Sequence, residues 1–159
     1  MKSAQLSKIK GFTLIELLVV ISIIATLTVI VFVALNPGGR LQQARDARRT
    51  SDVDSILTAI HQYIIDNQST VPSGITTAEK QIGTSVSTTA CANTNGGCNS
   101  GGSCVDLASD LSKYLASMPI DPKTGTSALT GYSVVKDANG IVTVRACGAE
   151  VNTPMLSSR

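Results

Sequence analysis

Tryptophan is absent from this chain of 159 residues, aromatic side chains make up 3%, histidine occurs once, and only 15% of the residues are charged. Each scarcity removes a class of function. The lone histidine, His61, has no Cys or second His at ligand spacing, which argues against a metal centre. It also leaves no nucleophile with a histidine base, and no carboxylate pair has a readable acid–base spacing. The charged fraction is well below the usual quarter while Leu, Ile and Val are plentiful, so a disordered chain and a basic nucleic-acid-coating protein are both excluded. The net charge of +2 resides at one end, because Lys2, Lys8 and Lys10 precede every acidic residue. Without residues 1–11, ten basic side chains face eleven acidic ones.

What the chain has instead is one long apolar run. Residues 12–35 hold nineteen apolar side chains in twenty-four positions, and Glu16 is the single ionisable group among them. As a helix this run is about 36 Å long, enough to cross a hydrocarbon layer of roughly 30 Å. It exceeds the apolar core of a secretory signal peptide, and cleavage after Ala34 would put bulky Phe32 where a small side chain is required. The segment reads as a retained membrane helix. Its many β-branched residues suit lipid, where the backbone has no partner but itself. Orientation stays open on charge alone: three lysines and the amino terminus precede the span, and Arg40, Arg45, Arg48 and Arg49 follow it. A carboxylate in such a span needs a partner.

The string Lys10-Gly11-Phe12-Thr13-Leu14-Ile15-Glu16-Leu17-Leu18-Val19-Val20 resembles the prepilin signature of type IV pilins and type II secretion pseudopilins. The resemblance implies a leader peptide over residues 1–11, cleaved between Gly11 and Phe12 by a prepilin peptidase on the cytoplasmic side, and N-methylation of Phe12. It implies that residues 12–35 serve first as an inner-membrane anchor and then as the assembly helix of a filament. Glu16 would there pair with the free amino group of Phe12, on its own or a neighbouring chain. A pair desolvated in this way sets register more than it adds stability. The implied partners are other pilin subunits, the peptidase, an inner-membrane assembly platform and the bilayer before assembly. No cofactor and no catalysis are implied. The single-pass protein would keep its C-terminal part outside, on a cell-surface or extracellular filament after assembly. Pilus, secretion pseudopilus and minor pilin with a DNA- or surface-binding head remain as alternatives.

Beyond the span, Pro37, Gly38 and Gly39 predict a kink, an unwound link or a plain helix end. Residues 36–67 form the second half of the spine, with Leu41, Ala44, Val53, Ile56, Leu57, Ile60 and Ile64 on one helical face. The arginines that follow the span alternate with Asp46, Asp52 and Asp54 and have no aromatic companions, which disfavours nucleic acid. Residues 68–159 make a head: a Ser-, Thr-, Gly- and Asn-rich loop over 68–103 with a short element near 77–82, a second helix over 105–116, and a β-hairpin around Asn139-Gly140. The expected fold class is therefore α+β, a long N-terminal helical spine with a small antiparallel sheet packed on it. Asp121 and Asp137 are the only carboxylates near the place where some pseudopilin heads bind calcium, and Asp121 before Pro122 reads as a turn former, so no metal site is assigned. Cys91, Cys98, Cys104 and Cys147 all follow the membrane segment, and their even count favours disulfides. Three connectivities are open; the favoured expectation joins Cys91 to Cys98 and Cys104 to Cys147.

Overall fold

The structure, a computed structural model, describes residues 11–151 and 153–159. Residues 1–10, which make up most of the leader expected over 1–11, lie outside the described residues. The chain divides into two compact units, one ending at Gly39 and the other running from Arg40 to Arg159.

In the first unit, helix α1 spans Leu14–Leu35 and buries none of its residues. It stops at Asn36, whose backbone is left-handed (φ 41°, ψ 66°) and whose N–H reaches the Val33 carbonyl at 3.4 Å. Asparagine tolerates this conformation better than most non-glycine residues. The interruption therefore lies one residue before the predicted Pro37-Gly38-Gly39. Those three residues open helix α2, Pro37–Asp66. Proline suits a first helical position because the N–H it lacks would have no helical acceptor there.

The second unit is an α+β head. Helix α2 buries Asp46, Arg49, Val53, Ile56, Leu57, Ala59 and Ile60 along one face. The strands are β1 (Lys80–Gln81), β2 (Tyr132–Lys136), β3 (Val142–Ala146) and β4 (Met155–Ser158), in the order β1-β2-β3-β4 and antiparallel throughout. Val134 stands opposite Val144, and Tyr132 opposite Ala146. These inward residues join the α2 stripe, Ile82, Leu107 and Leu111 in one core. Tyr132, fully buried, donates its hydroxyl to Asp52 at 2.7 Å and so ties the sheet to the helix. The β2–β3 connection is the expected hairpin turn: Gly140 has φ +91°, and Asp137 Oδ1 accepts from the N–H groups of Asn139 and Ile141.

Two expectations fail in the head. Residues 105–116 are not a helix; 108–114 form consecutive turns. Asp106 Oδ1 accepts from the Ala108 N–H at 2.9 Å and Ser112 donates to the Ser109 carbonyl, so local side chains compete with the helical ladder. Leu107 and Leu111 reach the core all the same. The loop expected over 68–103 holds its short element as β1 (Lys80–Gln81) but is not otherwise irregular, since it contains one helical turn, α3 (Thr88–Cys91), and a 3₁₀ turn at Asn95–Gly97.

The cysteine pairing also differs. The bonds are Cys91–Cys104 and Cys98–Cys147, with Cα–Cα distances of 5.2 and 5.4 Å. The Ile82–Val105 bridge runs the chain after Cys104 along the β1 edge, and the Cys104 N–H lies 2.8 Å from Cys91 Sγ. Past the 3₁₀ turn, Cys98 lies against Ser133 on β2, sulfur to hydroxyl at 3.2 Å, within reach of Cys147 just beyond β3. Cys91 and Cys98 thus point to different supports and do not close the small loop expected for them.

Candidate functional site

Two constellations stand out, one in each unit. At the start of α1, Thr13 adopts extended backbone (φ −83°, ψ 150°) and its hydroxyl accepts from the Glu16 N–H at 3.3 Å. Glu16 Oε2 in turn accepts from the Thr13 N–H at 2.9 Å and the Thr13 hydroxyl at 2.8 Å. This reciprocal capping box satisfies donors that the first helical turn leaves open. The carboxylate marked out by the sequence thus closes its own helix. Phe12 is 82% exposed, and among the described residues no atom beyond its chain neighbours lies within 4 Å of where a Cβ on Gly11 would stand.

The rest of α1 offers apolar surface on every side. Leu14, Ile24, Val33 and their neighbours are all exposed. Its hydroxyl groups need no outside partner: Ser22 donates to the Leu18 carbonyl at 2.7 Å, Thr26 to Ile23 at 2.8 Å and Thr28 to Ile24 at 2.7 Å. A helix apolar all round, with its polar atoms satisfied internally, belongs in lipid or among other apolar helices.

The head carries a buried ionic cluster that sequence reasoning missed. Arg49 on α2 is wholly buried, as is the Asp121 side chain that it meets, Nε to Oδ2 at 2.6 Å and Nη2 to Oδ1 at 3.2 Å. Arg49 Nη1 donates to Asp46 at 2.8 Å and to Glu150 at 3.4 Å. Glu150 also receives Arg45 at 2.6 Å and Lys123 at 2.5 Å. Burial alone would raise the Asp121 carboxyl, but Arg49 and the N–H groups of Thr124 and Lys123 outweigh it and hold the group below the ordinary carboxylate range. The hydrogen bonds from Arg45 and then Lys123 bring Glu150 down to about 2. Gly148 lets the carboxylate in: a Cβ there would stand 2.4 Å from Asp121 Oδ2. The cluster joins α2 to the 121–125 turn and to the segment after β3, and its arrangement is structural. With Asp121 engaged in this way and Asp137 closing its own hairpin loop, the two carboxylates weighed for calcium serve separate ends. Among the described residues no group of three or more His, Cys, Asp or Glu side chains is placed to hold a metal.

A second, smaller network lies on the other face of the sheet. Glu79 accepts from Ser133 at 2.5 Å and from Arg145 at 2.6 Å, beside the Cys98–Cys147 bond. Arg49 falls four and seven residues before Val53 and Ile56, on the apolar stripe itself, and that position is the sequence signal of its burial.

An exposed apolar helix, capped through its own glutamate, is followed by a disulfide-stapled α+β head, an arrangement compatible with membrane anchoring. A family model described as the prokaryotic N-terminal methylation motif matches residues 6–32, the signature of type IV pilins and pseudopilins. No curated protein and no solved structure matches the chain.

Proposed function

We propose that the chain is the structural subunit of a type IV pilus or pilus-like filament. The observation that carries the reading is the coincidence of the methylation motif over residues 6–32 with a helix that leaves all its apolar side chains uncovered. In this reading prepilin peptidase cuts between Gly11 and Phe12, the new amino terminus is methylated, and α1 moves from the bilayer into a bundle of identical helices. Gly11 presents no side chain to the protease, and a cut ahead of the apolar run keeps the anchor on the mature chain. Glu16 then exchanges part of its capping role for the Phe12 amino group of its own or an adjacent chain. The head stays outside the cytoplasm and forms the filament's outer face. Its role is structural, with assembly machinery and like subunits as partners. The stapled 91–104 loop and the second disulfide favour a surface-displayed pilin over a secretion pseudopilus, because an exposed fibre gains most from covalent ties.

Mass spectrometry of the amino terminus tests this. The expected mature chain begins at Phe12 and carries one methyl group on its amino nitrogen. An intact Met1 terminus on assembled protein would sink the proposal.

A further inference from the structure

The order of the disulfides along the chain has a chemical consequence. Cys91 pairs with the third cysteine and Cys98 with the fourth, so the two bonds interleave and neither joins sequence neighbours. The part of the segment around Cys98 has its native contacts far downstream. Cys98 lies on Ser133, a Cβ on Gly96 would meet the Cys147 carbonyl, and one on Gly97 would meet Pro154. Within 91–104 the local contacts are the Asn93–Ser100 bridge, the Ser100 hydroxyl on the Cys91 carbonyl and the Cys98 N–H on the Asn95 carbonyl; an isolated turn of this size is marginal at best, so Cys98 is held in its native place only when β2, β3 and the chain beyond them are formed.

Before Cys147 is available three pairings compete: Cys91–Cys98 seven residues apart, Cys98–Cys104 six apart, and the native Cys91–Cys104 thirteen apart. Closure probability falls roughly as the three-halves power of loop length, so the native pair forms in about one chain in seven and Cys98 is captured wrongly in the rest. We infer that this chain depends on a thiol–disulfide isomerase as a folding partner, because its interleaved bonds are disfavoured whenever oxidation precedes completion of the sheet. The inference rests on the reading that the head folds on the oxidising side of the membrane.

The exchange balances without an oxidant. The isomerase thiolate attacks Cys91 Sγ of a mispaired Cys91–Cys98 bond, forming a mixed disulfide and releasing the Cys98 thiolate. That thiolate attacks Cys147 Sγ of the accompanying Cys104–Cys147 bond and releases the Cys104 thiolate. Cys104 then attacks Cys91 Sγ of the mixed disulfide, completing the native pair and returning the isomerase thiolate. Two disulfides enter and two leave.

The test uses the full chain in detergent. It is reduced, denatured, diluted into detergent with diamide and stripped of oxidant, and then divided, one half receiving a catalytic amount of reduced protein disulfide isomerase. Trypsin leaves Cys91, Cys98 and Cys104 on residues 81–113 and Cys147 on residues 146–159, and electron-transfer fragmentation of the joined peptides reads the pairing. The native pairing is expected in about one chain in seven before isomerase and about sixfold more after it. The double variant Cys91→Ser/Cys104→Ser, which has only one pair to form, should reach Cys98–Cys147 equally well with and without the enzyme. Predominantly native bonds before isomerase would overturn the inference, as would a mixture that isomerase leaves unchanged. Reduced cysteines in protein taken from cells would overturn the placement of the head and with it the need for this partner, whatever the N-terminal processing shows.

Discussion

Arg49→Met removes the centre of the buried cluster while keeping an unbranched apolar stem of similar reach. Asp121 then loses both guanidinium bonds at a side chain with no solvent exposure. Its Oδ1 keeps the N–H groups of Lys123 and Thr124, each at 2.9 Å, and Oδ2 loses its close cation. Asp46 keeps the N–H groups of Glu150 and Val151. Breaking a buried pair on one side costs about 3–5 kcal/mol, and the surviving backbone donors put this case at the lower end, about 3 kcal/mol. At about 2.1 cal/mol/K per residue over a head of roughly 120 residues, that is a fall of about 12 °C in Tm. The assay is thermal unfolding of oxidised residues 40–159 at neutral pH, followed by circular dichroism. Adding Asp121→Asn to Arg49→Met removes the stranded charge and should recover about half of the loss. A cost below about 1 kcal/mol for the single variant, or a further loss in the double one, would refute the claim that Arg49 neutralises a buried carboxylate.

Acid should destabilise the same fragment in a defined window. Glu150 has its folded value lowered from 4.5 to about 2 and Asp121 is shifted in the same direction, so their contribution is complete above the ordinary value and is lost as pH falls towards the folded one. Melting temperatures should hold steady down to about pH 5 and drop below it, with Glu150→Gln flattening the drop; an unchanged pH profile in that variant would count against the assignment. Glu16→Ala should leave a folded, disulfide-bonded, membrane-inserted subunit that fails to enter filaments, since Glu16 and the head lie in different units; normal filament numbers by electron microscopy would contradict the pairing with Phe12. Residues 40–159 should be soluble without the anchor, because every buried core residue lies within them. Reductant should lower the stability of that fragment by about 2–5 kcal/mol per bond, and a melting curve indifferent to reductant would show that the disulfides are not staples.

The parts of the fold visible in the sequence are those set by local periodicity. Residues 12–35 could be little else than an apolar helix, and the Val53–Ile56–Ile60 spacing marked the buried face of α2. The hairpin announced itself through Asn139-Gly140, where a left-handed backbone is needed and glycine supplies it. Where local signals are evenly matched, the structure departs from the expectation. Residues 105–116 have leucines at helical spacing, yet the Asp106 and Ser112 side chains bind nearby backbone groups, the Ala108 N–H and the Ser109 carbonyl, and the segment turns instead of winding. Strand β4 has four residues and two serines, and only the free edge of β3 gives it a place.

The functional readings divide along the same line. Gly11, Phe12 and Glu16 form a contiguous motif that needs no fold to be recognised, whereas the cluster around Arg49 is assembled from carboxylates three, 72 and 101 residues away. Arginine beside aspartate on a helix reads as a solvated pair, and its position on the apolar stripe was the single sign to the contrary. The cysteines pose the same difficulty in covalent form. Spacing favours the short loops, and the structure adopts the long ones, because Cys98 is held by Ser133 on β2 and Cys147 at the end of β3. Both the ionic cluster and the interleaved bonds therefore require the sheet to exist before they are favourable. Each in turn fixes a segment that the sheet alone would leave loose, the 121–125 turn and the chain after β3 in one case and the 91–104 loop in the other. The head is thus secured by ties that are long-range in sequence, while helix α1, which would carry assembly, is closed by local sequence alone through Thr13 and Glu16.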